Sequence, residues 1–195
     1  MFAAIAGFAA GLIHVLSGPD HLVAVAPFAA AQGRGQWRAG FRWGLGHTIG
    51  VLLIGLLLVV FGRVLPIAAI AAYSERLVGA MLITVALWSF IRARTSRPHR
   101  HLHAGASFGV GLLHGVAGSS HLFGLLPALA LPTVRDQILY LGGFGAAAVV
   151  GMTAFASVVG MLAVSAACRS ITGYRGLLYA CSVSALLVGG FWLVG

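Results

Sequence analysis

Six apolar runs of roughly twenty residues, separated by short segments that hold most of the charge, leave this chain little choice of fold. In lipid no water satisfies a backbone N–H or C=O, so a crossing segment must be a helix or part of a closed barrel. About 20 apolar residues of helix span the hydrocarbon core. On that measure the spans run over roughly 3–31, 43–61, 75–91, 105–131, 138–163 and 176–194. Composition agrees: 60% of residues are hydrophobic and 8% charged, where a soluble domain carries about 25% charged residues. The reading is an all-α membrane protein with six transmembrane helices.

The charge is one-sided. There are twelve arginines, no lysine and three acids, Asp20, Glu75 and Asp136, for a net charge of +9. In a soluble protein that balance would point to nucleic acid; here no soluble domain carries it, and arginines between apolar runs answer to topology and anionic headgroups. Loops one, three and five hold Arg34, Arg38, Arg42, Arg92, Arg94, Arg97, Arg100, Arg169 and Arg175, against Arg63, Arg76 and Arg135 on the other side. The excess places the odd loops in the cytoplasm and both termini outside a cell membrane. Met1-Phe-Ala-Ala-Ile-Ala lacks a basic start and reads as an uncleaved first span. Trp43, Tyr73, Tyr140, Tyr174 and Trp192 fall near span ends, where amphipathic rings favour the interface. Cys168 and Cys181 have no metal or redox spacing and read as small apolar fillers.

The chain also repeats itself. Gly11-Leu-Ile-His-Val-Leu-Ser-Gly-Pro-Asp-His-Leu-Val-Ala-Val-Ala-Pro27 returns one hundred residues later as Gly111-Leu-Leu-His-Gly-Val-Ala-Gly-Ser-Ser-His-Leu-Phe-Gly-Leu-Leu-Pro127, with seven of seventeen positions identical. The division is a first three-helix repeat over 1–95, a His/Arg-rich cytoplasmic linker over 96–104 and a second repeat over 105–195. Three spans per repeat force the halves into opposite orientations, an inverted repeat whose site is expected near the midplane. The first and fourth helices are broken: Gly18-Pro19 interrupts one because proline lacks the amide hydrogen and clashes with the preceding turn, and Gly115 and Gly118 loosen the other. Span five matches span two only weakly, with Leu45-Gly-His-Thr48 facing Phe144-Gly-Ala-Ala147.

Imidazoles inside apolar runs are costly and mark function by default. His14, Asp20 and His21 lie within eight residues, and Asp20 is the acid deepest in an apolar run. On an unbroken helix His14 and His21 share a face while Asp20 points about 100° from His21; the Gly18-Pro19 break lets all three turn inward. His47 joins them from Gly44-Leu-Gly-His-Thr-Ile-Gly50, whose glycines permit close helix approach. Imidazole with one carboxylate and no thiolate suits Ni, Co, Cu(II) or Zn over Cu(I), and protons competing for the same groups would offer a means of coupling. Ser17 and Thr48 read as backbone hydrogen-bonders. In the second half Ser119 and Ser120 replace Pro19 and Asp20, so His114 and His121 stand either as further metal ligands or as structural hydrogen-bonders. His99, His101 and His103 alternate in the linker, either as a solvated tract or as a weak metal-staging tract, with four arginines beside them opposing the second role.

At His14-Val-Leu-Ser-Gly-Pro-Asp-His21 and Leu45-Gly-His-Thr48 the chain resembles the nickel/cobalt transporter superfamily, in particular its short six-span UreH-like, urease accessory branch. The longer permeases carry His-x4-Asp-His in one span and Leu-Gly-His-Ser/Thr in the next; here five residues separate His14 from Asp20, and no acid follows Asp136. The resemblance implies a secondary transporter of Ni²⁺ or Co²⁺, as cargo and with no permanent cofactor, supplying urease, hydrogenase or cobalamin assembly. By match it implies roles for His14, Asp20, His21 and His47. Exporters of the same superfamily, an intramembrane zinc hydrolase, and a haem- or thiol-based redox protein stand as alternatives. The hydrolase lacks an evident nucleophile, and the thiol carrier lacks cysteines in matching spans, so the chain is read as a transporter and not an enzyme. The expected partners are a divalent ion and the lipid bilayer, with homo-oligomerisation left open.

Overall fold

The computed structural model describes residues 1–32, 35–61, 67–95, 104–118 and 121–194. These form eight helices: α1 (Phe2–Ser17), α2 (Pro19–Gln32), α3 (Trp37–Phe61), α4 (Ile67–Thr95), α5 (Ala104–Ala117), α6 (His121–Leu129), α7 (Val134–Arg169) and α8 (Ile171–Val194). No strand occurs among the described residues. α3, α4, α7 and α8 each contain a stretch long and apolar enough to cross a membrane, and α1 with α2, bent by 73° at Gly18, forms either a fifth, broken span or a re-entrant loop. This fits a membrane protein.

The fourth run is broken as the sequence reading expected, with α5 ending at Ala117 and α6 beginning at His121, but its pieces are short and the other helices start elsewhere than expected. The run 105–131 appears as α5 of 14 residues and α6 of 9, both short of the length a single crossing requires. The other helices begin earlier than hydropathy alone indicates: α3 at Trp37, α7 at Val134 and α8 at Ile171. Trp43 and Tyr140 therefore stand more than a turn inside their helices and Tyr174 within the first turn of its own, and all three are buried, whereas Tyr73 is exposed as an interfacial ring would be. Arg38 and Arg42 lie within α3, and Arg38 covers the Trp37 ring at 5.5 Å, which lets a charged first turn remain helical at the end of an apolar segment.

Glycines decide which helices touch. α1 lies along α7, with Gly7 against the Tyr140 carbonyl and Gly11 against Phe144; α5 lies along α3, with Gly111 against the Trp43 backbone and Gly115 against His47. α3 crosses α7 antiparallel, Gly44 facing Val149 and Gly145 facing Thr48. A side chain at any of these glycines would strike backbone or a packed side chain, so they set the close approach of the helices. The contacts exchange neatly between halves: Gly11 on Phe144 answers Gly111 on Trp43, and Gly151 near Leu12 answers Gly50 near Leu112. In these contacts Phe144 stands to Gly11 as Trp43 stands to Gly111. Around the crossing, Val15, Ala24, Val25, Trp43, Ala148 and Met152 belong to one buried apolar cluster.

Candidate metal centre

The break at Gly18 creates the site. α1 ends there because Pro19 cannot donate to the preceding turn, and Gly18 N–H closes on the His14 carbonyl at 3.2 Å. α2 then restarts at Pro19, a residue well suited to a first helical position. Asp20 and His21 thus occupy the first turn of a helix inclined by 73° to the one that carries His14. Gly18 is also required for space: a Cβ there would strike His21 Nδ1 and come within 2.9 Å of Asp20 Oδ1.

Four helices bring five donors together. His14 comes from α1, Asp20 and His21 from α2, His47 from α3 and His114 from α5. His21 is central, its ring centroid 4.7 Å from that of His14, 5.0 Å from that of His47 and 4.7 Å from that of His114. Asp20, His21, His47 and His114 are buried, and His14 is half-buried beside the exposed residues Leu16 and Ser17. Two sets of three donors have their ligating atoms within 4.8 Å of one another: His14, His21 and His47, and Asp20, His21 and His114.

The carboxylate organises the second set. Asp20 Oδ1 lies 3.0 Å from His21 Nδ1 and Oδ2 lies 3.2 Å from His114 Nε2. A carboxylate only accepts, so His21 Nδ1 donates to it, while His114 Nε2 stands beside the other oxygen as an ion-pair contact. With hydrogen on Nδ1, His21 turns a lone pair outward on Nε2, the carboxylate–histidine arrangement that orients metal-binding imidazoles. His47 is fixed differently, by stacking on Trp43 at 4.9 Å and 11° between planes.

Aromatic rings close the cluster on both sides. Trp43 precedes His47 by one turn of α3 and is 5.4 Å from His114; its counterpart Phe144 is 5.4 Å from His14 and rests over Gly124. The antiparallel register sets Phe144 beyond His47, about six residues of helix from Trp43, which is roughly 9 Å along the axis.

Of the residues singled out in the sequence, His14, Asp20, His21, His47 and His114 come together. His121 opens α6, but its side chain lies outside the described residues, as do Ser119, Ser120, His99, His101 and His103. Ser17 and Thr48 do bond to backbone, at the carbonyls of His14 and Gly145. Among the described cysteines both are free, Cys168 exposed and Cys181 buried. Sequence reasoning missed Trp43 and Phe144 as walls of the site; the signal was the exchange of Gly11 and Gly111, which is meaningless until the partner helices are known.

Comparison with known proteins adds relatives but no family model and no solved structure that matches. The chain is similar to Chloroplast protein FOR GROWTH AND FERTILITY 2 of Arabidopsis thaliana, 33% identical over 79% of this chain and 46% of that protein. It is similar to Chloroplast protein FOR GROWTH AND FERTILITY 1 of the same plant, 29% identical over 79% of this chain and 48% of the relative. The chain therefore spans about half the length of these two curated relatives. It is also similar to Urease accessory protein UreH of Bacillus sp. (strain TB-90), 28% identical over 80% of this chain and 75% of UreH.

Proposed function

We propose that the protein is a secondary transporter of divalent transition-metal ions, Ni²⁺ or Co²⁺, built as two inverted three-helix repeats. The observation that carries this is the convergence of four imidazoles and one carboxylate from four separate helices within apolar surroundings. Such groups are costly in a membrane interior unless they serve an ion or proton, and nitrogen donors with one oxygen suit borderline cations. The similarity to UreH, whose name links it to urease, supports nickel as cargo, with urease, hydrogenase or cobalamin assembly as the destination.

Alternating access needs a closure on each side of the ion. Trp43 and Phe144 supply that pair. Rocking one repeat against the other would part α3 from α5 at Gly111 or α1 from α7 at Gly11, opening one aromatic wall while the other stays shut. Glycine-lined contacts suit such motion, because smooth backbone surfaces slide without repacking large side chains.

The test is uptake of radiolabelled nickel and cobalt in cells expressing His14→Ala, Asp20→Ala or His21→Ala at wild-type protein levels. The expected result is loss of accumulation in all three. Unchanged uptake in all three removes the proposal.

A further inference from the structure

The geometry points to two alternative positions for one ion that share the His21 ring, one formed with His14 and His47 and the other with Asp20 and His114. This rests on the transport reading. An ion with bonds of about 2.1 Å holds donors no more than roughly 4.2 Å apart. Two triads come within 4.8 Å and need only a slight contraction, but among the described residues no set of four meets that limit. His14, His21 and His47 make one position, and Asp20, His21 and His114 make the other.

The two positions differ in readiness. In the first, His21 offers Nε2, held in place because its Nδ1 donates to Asp20 at 3.0 Å. In this triad His14 is half-buried, while His21 and His47 are buried. The second position is closed on itself: Asp20 spends one oxygen on His21 and the other on His114, and every residue in it is buried. An ion enters it only by replacing those contacts with coordination, which for His114 means ligation at Nε2 with the ring hydrogen on Nδ1. His21 then ligates through Nδ1, with its ring hydrogen moved to Nε2. Both positions use His21, so they fill in turn and not together.

The test uses purified full-length protein titrated with Co²⁺, with the first coordination shell read by X-ray absorption and the Asp20 carboxylate band by infrared difference spectroscopy. The expected wild-type stoichiometry is one ion. His47→Ala should still bind one Co²⁺ in a mixed nitrogen and oxygen shell, with the Asp20 band shifted on metal addition. His114→Ala should bind one Co²⁺ among three imidazoles without the ligation shift of Asp20. His21→Ala should lose more than 100-fold in affinity, as should the double variant His47→Ala/His114→Ala. Identical shells in the two single variants, or a loss in either as large as that of His21→Ala, overturn the two-position arrangement while leaving the transport reading intact. Failure of the wild-type protein to bind Co²⁺ or Ni²⁺ at all overturns both. If His114→Ala does not fold, His114→Gln provides the same comparison, because it removes the ring nitrogen and keeps a hydrogen-bond donor for Asp20.

Discussion

Gly18→Ala adds one methyl group at the hinge of the site and should weaken metal binding. Gly18 sits at φ −83° and ψ 104°, a region open to every L-residue, so alanine meets no backbone penalty. Restricting the unfolded chain even favours the variant by about 0.4–1 kcal/mol. The added carbon, however, would strike His21 Nδ1 and lie 2.9 Å from Asp20 Oδ1, where ordinary contacts begin at 3.4 Å. The His21 ring must swing aside, and its 3.0 Å bond to Asp20 is lost. A hydrogen bond to a charged group contributes about 1.5–3 kcal/mol, which at about 1.4 kcal/mol per decade is a loss of roughly 10- to 100-fold in metal affinity. The same range follows when a ligating histidine loses its outer partner. Titration of purified protein with Co²⁺, followed optically, measures the affinity, and thermal unfolding in detergent measures stability. Gly109→Ala is the control, since a Cβ there meets nothing within 4 Å and a mid-helix glycine replaced by alanine gains about 1 kcal/mol. Unchanged affinity in Gly18→Ala, alongside an intact fold, would refute the placement of His21 and Asp20.

Other consequences follow from the packing. Gly111→Ala should destabilise the protein by at least about 1–3 kcal/mol, read as a lowered unfolding temperature, because its Cβ would press on the Trp43 backbone, with Trp43 C at 2.8 Å. Trp43→Ala and Phe144→Ala should each leave reconstituted vesicles tight to Co²⁺, while the double variant leaks passively down the gradient; a leak from either single variant would refute two independent closures. Thr133 caps α7 by accepting from the Asp136 amide at 3.1 Å, so Thr133→Ala should cost about 1 kcal/mol in thermal unfolding with nickel uptake unaltered.

Much of the architecture is legible in the sequence because each signal is local. Apolar runs give helices, Gly18-Pro19 gives the break, and histidines within those runs give most of the donors. What stays hidden depends on which helix lies against which. The Asp20–His114 contact joins residues 94 positions apart through the seating of α5 on α3. Trp43 looks like an interfacial ring because hydropathy begins its span too late; six more residues of helix carry it into the interior. The seating of Gly11 on Phe144 and of Gly111 on Trp43 likewise emerges only from the contacts between helices.

The most direct measurement is an experimental map of the protein with bound Co²⁺, using anomalous scattering to locate the ion. The account predicts density among His14, His21 and His47 or among Asp20, His21 and His114. Density confined to the linker histidines His99, His101 and His103, with none inside the helices, would contradict it.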